Sequence, residues 1–233
     1  AMERTVVPEN FSFRMTDEEY RVLEKIKNSI PVCYLADHAD FALGIVTGNN
    51  KKFLSAEKTE HSEMVLKGTD ICKYHINPVK QYLRFEPEQF QQVAPLEIYR
   101  APEKLLYRFI SNQLVVAYDD RQMLSLNSCN IVIPKIEGMQ IKYILAILNS
   151  SVSQFVYQKE FHSIKVLRAH MEHIPIPRVG KAIQNEIIAM TEPLICGMGK
   201  EAAETCQKRL DCRIMDLFRL SAEEQWIIRH ALH

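Results

Sequence analysis

The hydrophobic pattern changes once along this chain of 233 residues, near Pro134, and that change limits the folds it can adopt. Before it, short β-branched or aromatic runs alternate with turn signals such as Gly48-Asn49-Asn50 and Asn127-Ser128. Such runs predict β-strands, and their spacing favours a curved, mainly antiparallel sheet over βαβ units. The predicted strands cover 41–46, 52–55, 81–85, 105–110, 114–118, 123–126 and 129–133.

Helical patterns lie on both sides of this region. Thr16 is a candidate N-cap for a helix that ends before Pro31. From Gln140 apolar residues recur every three to four positions as far as about Phe161, which predicts a second helical segment. The Ile-Pro-Ile-Pro stretch at 174–177 is expected to be rigid and extended, because proline fixes its own φ and disfavours helix before it.

Three more helices are predicted over 181–198, 201–218 and 221–231. In the last of them Ser221 and Glu224 have the spacing of a capping box. The predicted fold class is therefore α+β, with a helical C-terminal region that packs on the sheet domain or extends from it. The predicted divisions are an N-terminal helix and linker at 1–31, a main domain at 32–178 and a helical tail at 179–233.

The overall charge does not identify a partner, since 29 basic residues balance 29 acidic ones. Between Phe41 and Arg178, however, 17 Lys/Arg stand against 13 Asp/Glu, a mild excess that is compatible with a nucleic-acid partner. The six cysteines are scattered, no signal-peptide pattern opens the chain, and no apolar run approaches the roughly 20 residues of a membrane span. These features predict a cytoplasmic protein with reduced thiols and no membrane partner.

The signatures of common catalytic sites are missing. The one G-x-G arrangement, Gly197-Met198-Gly199, stands at the junction of two predicted helices rather than after a strand, so it is not the fingerprint of a dinucleotide or S-adenosylmethionine site. Asn77-Pro78 continues with Val79-Lys80 rather than with the Pro-aromatic pair of an amino-methyltransferase loop. Asp119-Asp120 follows an apolar strand, as in metal-dependent nucleases, but no Glu-x-Lys accompanies it. His162, His170 and His173 lack the further ligand that a zinc site needs, so no metal site is predicted.

One segment carries more information than the rest: Ala42 to Phe53 reads ALGIVTGNNKKF, a strand followed by a tight polar turn and two lysines. It resembles the Gly-Ile-x-Thr-Gly-x-Asn-x-x-Phe signature of the TaqI-like C-terminal specificity domain of type II methyltransferases and fused restriction–methylation enzymes. Further stretches resemble that family in the expected order, and the closing helices are also similar to those of type I specificity subunits. These stretches are KGTDICKY at 67–74, EKLLYR at 103–108, LNS at 126–128, LAILNS at 145–150 and IPIP at 174–177.

The resemblance implies that residues 32–178 form a target-recognition domain without catalytic residues of its own. Such a domain clamps double-stranded DNA, reads base edges in the major groove and positions an adenine for a separate methyltransferase module. S-adenosylmethionine, and Mg²⁺ for cleavage, would then belong to methyltransferase or nuclease modules of the same or a partner chain. Ala1 before Met2 also suggests a cloned piece of a longer restriction–modification enzyme.

The expected DNA contacts combine turn residues with carboxamides that can read adenine and cations that suit phosphate or guanine. They are Thr47, Asn49, Asn50, Lys51, Lys52, Lys67, Lys73, Tyr74, Arg100, Lys104, Arg108, Arg121 and Gln122. The motif glycines, and the Leu148-Asn149-Ser150 stretch, are expected to serve the fold instead.

Two alternatives stay open on the sequence alone. One is a compact nuclease that uses Asp119, Asp120 and Glu103. The other is a protein-interaction module whose helical tail binds a methyltransferase or restriction subunit through the apolar faces around Leu210, Ile214, Leu217, Trp226 and Ile227.

Overall fold

The computed structural model describes residues 15–161 and 163–232. The strands in these ranges are β1 Val32–Cys33, β2 Ala39–Ala42, β3 Leu54–Ser55, β4 Ser62–Leu66, β5 Tyr82–Arg84, β6 Lys104–Arg108, β7 Val116–Asp119, β8 Leu124–Ser125, β9 Cys129–Pro134 and β10 Ile176–Pro177. The helices are α1 Asp17–Asn28, α2 Asn50–Phe53, α3 Leu96–Tyr99, α4 Ile141–Asn149, α5 Ser151–Glu160, α6 Arg168–Glu172, α7 Lys181–Ile195, α8 Lys200–Leu217 and α9 Ala222–Ala231. The predicted α+β class is confirmed.

Two four-stranded sheets form the centre of the fold. The main sheet has the order β2-β9-β6-β7 and is antiparallel throughout, with Leu105 opposite both Tyr118 and Val132. The second sheet has the order β3-β5-β4-β8 and is antiparallel except for the parallel pair of β4 and β8. A short antiparallel pair of β1 and β10 joins the start of the main domain to the Ile-Pro-Ile-Pro stretch.

The two faces of the main sheet bury different partners, which follows from the alternation of side chains along each strand. Leu105 and Tyr107 of β6 point to one hydrophobic core, which they share with α1, α4, α5 and the tail helices. Leu106 lies between them and points to a second hydrophobic core, which is formed together with residues of the second sheet. The molecule is thus layered as helices, main sheet and second sheet, and the loops of the second sheet are left to face solvent.

The helix ends agree closely with the sequence. Thr16 caps α1 and Ser221 caps α9, each in a capping box with the glutamate three residues on. The segment predicted to run from 140 to 161 is divided into α4 and α5, because Ser150 caps a new helix by accepting from the Ser153 N–H at 3.2 Å. None of the helices in the described residues is long and apolar enough to cross a bilayer.

Asn149 explains the Leu-Asn-Ser motif that precedes this break. β7 lies at the edge of the main sheet, so the backbone of Val116 lacks a strand neighbour on one side. The Asn149 carboxamide and the backbone of Tyr74 share that place. The Asn149 Oδ1 accepts from Val116 N at 3.1 Å and its Nδ2 donates to Val116 O at 2.8 Å, while Tyr74 N donates to the same oxygen at 2.7 Å. The prediction that this motif serves the fold is confirmed.

Around the Gly48 turn the sequence-based assignment is wrong. Residues 50–53 form the short helix α2 rather than the start of a strand, and the flanking strands do not pair as a hairpin, because β2 pairs with β9 and β3 with β5. The strand β4 was also missed, since Glu63 and Met64 are both exposed and Val65 and Leu66 are both buried, so its side chains do not alternate. The division into 1–31, 32–178 and 179–233 stays a prediction, and residues 1–14 lie outside the described part of the chain.

Candidate nucleic-acid interface

Three segments that are far apart in sequence, together with the single residue Gln81 just before β5, meet at one exposed cleft of about 430 Å³. The three segments are the α2 turn, the segment that follows β4, and the turn between β8 and β9. We call this the amide cleft, and its lining residues are Asn50, Lys51, Leu54, Lys67, Gln81, Leu126, Asn127 and Ser128. Two of the three segments carry family-like motifs with predicted DNA contacts, so the fold brings those motifs together.

The first segment is held in shape by its own polar side chains. Gly48 adopts a φ of 74°, a region that only glycine enters readily, and this turns the chain into α2. Asn49 caps α2, with its Oδ1 accepting from Lys52 N at 3.2 Å. The Thr47 hydroxyl, which is buried, donates to Asn50 Oδ1 at 2.6 Å. Thr47 was predicted to read bases, and this is corrected: its burial makes it a residue that orients Asn50.

Both lysines of the first segment are exposed. Lys51 lines the cleft directly. Lys52 leans away from it, because its Nζ donates to Gln89 Oε1 at 2.6 Å and lies 4.7 Å from the centre of the Phe53 ring.

The second segment starts with exposed Lys67, whose backbone N–H donates to Asp70 Oδ2 at 2.9 Å. Its glycine makes the closest contact with the third segment. Gly68 N donates to Ser128 Oγ at 3.0 Å, and a Cβ at residue 68 would lie 2.5 Å from the Ser128 carbonyl oxygen. Only glycine fits at this distance without a shift of the backbone.

The first segment is tied to the same turn. Ile45 N donates to Ser125 O at 2.7 Å, and Asn127 N donates to Ile45 O at 3.1 Å. A Cβ at Gly44 would lie 2.1 Å from the Leu126 carbonyl oxygen. Gly44 of the first segment and Gly68 of the second segment therefore both pack against the turn between β8 and β9. These contacts fix the geometry of the cleft.

Tyr74 and Lys73 are placed elsewhere than the sequence suggested. Tyr74 is only 2% exposed, with a left-handed φ of 75°, and burial raises the pKa of its hydroxyl well above the usual value. Lys73 turns toward the helices, where its Nζ donates to the Asn149 carbonyl at 3.1 Å, and burial lowers its pKa although Asp211 opposes this. Both were expected to contact DNA, and both are corrected to contacts between the sheet and the helices.

Lys104 and Arg108 are also bound inside the protein. Lys104 is fully buried, with its Nζ 2.5 Å from Asp119 Oδ2 and 2.6 Å from the Tyr99 carbonyl. Burial lowers the pKa of Lys104, and the Asp119 carboxylate opposes that shift. Arg108 donates to the carbonyls of Gly68 and Ile71 at 2.8 and 2.6 Å. The predicted DNA contact of Lys104 is corrected, because its ammonium is fully buried. Arg108 is half-buried and braces the second segment, and its contact with DNA stays a prediction.

The remaining predicted residues form a separate exposed group. Arg121 and Gln122 lie in the turn before β8, whereas Asn127 follows β8. β4 and β8 are parallel, so this turn is at the end of the strands opposite to Lys67 and the cleft. Arg100 joins this group, since its guanidinium donates to the Gln122 carbonyl at 2.8 Å and pairs with Glu63 at 2.5 Å.

The nuclease alternative has no support from the arrangement of its carboxylates. Asp119 is fully buried and its two oxygens accept from Arg121 N at 2.9 Å, Met123 N at 3.0 Å and Lys104. It therefore shapes the turn rather than facing a substrate. Glu103 accepts from the Tyr118 hydroxyl, which raises the pKa of that tyrosine in addition to the effect of burial.

The histidines do not assemble a metal site either. His170 stacks on Phe161 with ring centres 4.4 Å apart, and its Nδ1 accepts from Leu167 N at 3.2 Å. His162 lies outside the described residues. Among the residues that are described, no group of three or more His, Cys, Asp or Glu side chains is placed to hold a metal ion.

The apolar face of the tail is largely used within the chain. Leu210 and Ile214 are buried in the helical core, and Leu217 and Ile227 pack against it. Trp226 is the exception, since it is exposed and stacks on His230 with ring centres 3.8 Å apart.

Sequence reasoning missed three cleft residues: Gln81, Asn127 and Ser128. Asn127-Ser128 was recognised only as a turn and a motif element. The Asn127 carboxamide becomes a candidate only when the first segment is known to pair with this turn. That pairing joins residues about 80 positions apart, so local sequence patterns do not reveal it.

Residues 63–176 match the TaqI-like C-terminal specificity domain. This confirms the resemblance over that range, and the first segment of the cleft lies outside it. No curated protein matches the chain.

Three solved structures are similar at low sequence identity. The type IIG restriction endonuclease BpuSI has a TM-score of 0.51 and 12% identity, over 93% of this chain and 32% of the other. The type IIL restriction–modification enzyme MmeI, in complex with DNA, has a TM-score of 0.50 and 11% identity, over 85% of this chain and 35% of the other. The HsdS subunit from Thermoanaerobacter tengcongensis has a TM-score of 0.45 and 14% identity, over 93% of this chain and 50% of the other.

The chain thus spans half or less of the length of each of these structures, and the likeness to BpuSI and MmeI is one of fold. Together with the family match, it supports one conclusion. Over residues 63–176 this chain is similar to the TaqI-like C-terminal specificity domain, and its fold is similar to parts of a type IIL restriction–modification enzyme and a type IIG restriction endonuclease.

Proposed function

We propose that this chain recognises a specific sequence in duplex DNA, and that the amide cleft is part of its DNA-contacting surface. The observation that supports this most is the convergence of the 47–53 turn, Lys67 and Asn127 on one exposed cleft. Carboxamides and ammonium groups are the chemistry that base edges and phosphates require. The MmeI structure, which shares the fold, is a complex with DNA.

The charge around the cleft favours a polyanionic ligand. Lys51 and Lys67 line it, and its lining includes no carboxylate. Their side chains are exposed, so each can replace a counterion on a phosphate without the cost of leaving a buried site. In this proposal the lysines fix the position of the duplex, and the carboxamides read the bases.

We assign the exposed turn with Arg121 and Gln122 to a second contact along the same duplex. It lies at the other end of β4 and β8, which separates it from the cleft by the length of a short strand. Residues at both ends of one sheet edge allow the domain to contact more than one base pair. Asn49 and Lys52, which serve α2 and Gln89 in the free chain, are peripheral contacts in this arrangement.

Catalysis belongs to other modules in this proposal. The chain clamps the duplex and positions an adenine, while a methyltransferase module supplies S-adenosylmethionine and the base-flipping pocket. A nuclease module, where one is present, would supply Mg²⁺. The chain covers about a third of BpuSI and of MmeI, which is consistent with a part that works beside such modules in the cytoplasm.

A randomised duplex pool tests the proposed function. The purified chain is titrated into the pool at low and moderate salt, and the retained DNA is sequenced. We expect salt-sensitive binding that enriches one short motif. Asn50→Ala should weaken binding to that motif, whereas the matched variant Asn28→Ala, on an exposed position of α1, should not. Absence of binding at low salt, or binding without enrichment, would contradict the proposal.

A further inference from the structure

The amide cleft contains three carboxamides, each on a separately fixed backbone segment. Asn50 begins α2. Gln81 precedes β5, and its carbonyl accepts from Val65 N at 3.1 Å. Asn127 is held by its own N–H, which donates to Ile45 O at 3.1 Å. Backbone anchoring of this kind keeps the side chains near one another before any ligand arrives.

Two of these carboxamides keep their hydrogen-bonding capacity available. Asn50 Oδ1 is partly used, because it accepts from the Thr47 hydroxyl at 2.6 Å. Among the residues that the structure describes, the side chains of Gln81 and Asn127 form no hydrogen bond with protein atoms. Asn127 is exposed and Gln81 is half-buried. Each therefore presents one acceptor oxygen and one NH₂ donor to whatever enters the cleft.

The chemistry of the lining selects among the four bases. In the major groove adenine presents an acceptor at N7 beside a donor at N6, which is the complement of a carboxamide. Guanine presents two acceptors and is usually read by arginine or lysine, and cytosine presents a donor that suits a carboxylate. The cleft lining has no arginine and no carboxylate, and its lysines are exposed cations suited to phosphate.

We propose that the cleft reads adenine: the Asn127 carboxamide pairs with N6 and N7 of one adenine in the major groove, and Gln81 contacts the adjoining base pair. This inference rests on the proposed function, because it names the base that the cleft selects. It assigns base specificity to Asn127 and Gln81, neither of which was among the DNA contacts expected from the sequence, and it gives Asn50 a supporting place beside them.

The test uses the duplex selected by the intact chain. Each adenine of the motif is replaced in turn by 7-deaza-adenine, which keeps base pairing and loses only the N7 acceptor. At one position the affinity should fall by up to about 150-fold and by at least about 5-fold, the range expected for loss of a bidentate base contact. Asn127→Ala should lose affinity for the unmodified duplex to a similar extent and should no longer respond to the replacement at that position. Asn28→Ala should retain the full response.

A second variant tests whether changing residue 127 changes the base that the cleft selects. Asn127→Asp replaces the donor and acceptor pair by acceptors alone, so it should shift the selected base at that position from adenine to cytosine. Thermal unfolding of both variants is measured alongside, and little change is expected because the Asn127 side chain is exposed.

The outcomes separate the two proposals. A motif that is selected but responds to no 7-deaza replacement, or whose response survives Asn127→Ala, overturns the adenine assignment and leaves the proposed function standing. A chain that binds duplex DNA without selecting any motif, or does not bind it, overturns both.

Discussion

The backbone of Gly68 and the residue Ser128 lie in direct contact: the Gly68 N–H donates to Ser128 Oγ at 3.0 Å, and a Cβ on residue 68 would be 2.5 Å from the Ser128 carbonyl oxygen. Gly44 approaches Leu126 in the same way, with a Cβ position 2.1 Å from the Leu126 oxygen. These two contacts join the motif segments to the turn between β8 and β9. The glycines are thus required by packing rather than by contact with a ligand.

Alanine at either glycine should destabilise the protein. The neighbouring atoms are backbone oxygens, which cannot rotate away, so the surrounding chain must shift. We expect a loss of about 3 kcal/mol in the free energy of unfolding for Gly44→Ala and about 2 kcal/mol for Gly68→Ala, as for other overpacked sites. Urea denaturation measures both.

Gly180→Ala is the control for this pair, because a Cβ at Gly180 meets no atom within 4 Å. Its cost should stay below about 1 kcal/mol, the usual difference between glycine and alanine at an N-cap. Equal losses in all three variants would contradict the packing explanation.

The buried pair of Lys104 and Asp119 should be strongly coupled. Lys104→Met leaves a buried carboxylate and Asp119→Asn leaves a buried ammonium, so each single variant should lose about 3–5 kcal/mol of stability. The double variant should lose less than the sum of the two, which a double-mutant cycle of unfolding free energies detects. Additive losses would show that the two groups do not depend on each other.

His170 gives the protein a pH dependence in the acid range. Burial lowers its pKa from 6.5, and its Nδ1 accepts from Leu167 N, which requires the neutral ring. Between the lowered pKa and 6.5 the unfolded chain therefore binds more protons than the folded one. The contribution of His170 to the free energy of unfolding is fully present above pH 6.5, and it is lost as the pH falls through the lowered pKa.

An NMR titration should place the His170 midpoint below 6.5. His170→Phe, which preserves an aromatic ring beside Phe161, should remove this part of the acid sensitivity when unfolding is compared from pH 7 to pH 5. A midpoint at or above 6.5 would be inconsistent with the buried, hydrogen-bonded ring.

The cleft lysines should act through phosphates. Lys51→Ala and Lys67→Ala should each weaken binding to all duplexes by a similar factor and should reduce the slope of log affinity against log salt by about 1. The control is Lys181→Ala, at the exposed start of α7 in the helical layer. If the control lowers the slope as much as the cleft variants do, the assignment of the cleft as the DNA-contacting surface is wrong.

Local signals in the sequence predicted much of this fold. Thr16 and Ser221 mark their helices because a cap depends on residues only three positions apart. The strands β5 to β9 were found because each is apolar and bounded by turn residues. The α2 turn was mistaken for a hairpin because hairpin and helix cap share the same Gly-Asn-Asn composition, and pairing with distant strands decides between them.

The candidate site was predictable only in part, for a related reason. Lys104 and Lys67 look alike in sequence, yet one is buried against Asp119 and the other is exposed at the cleft. Burial of a cation depends on a partner 15 residues away in the neighbouring strand, which the charge pattern does not reveal. Asn127 was overlooked because its place in the cleft depends on the pairing of its backbone N–H with the Ile45 carbonyl, 82 positions earlier, which its sequence neighbours do not reveal.

Hydrogen–deuterium exchange with the selected duplex is the most direct test of whether the amide cleft lies on the DNA. We expect bound duplex to slow exchange in peptides covering 47–54, 66–72 and 124–129 together, and to leave peptides of the tail helices at 181–231 unchanged. Protection confined to the tail helices, or absent from all three cleft segments while the duplex is bound, would contradict that expectation.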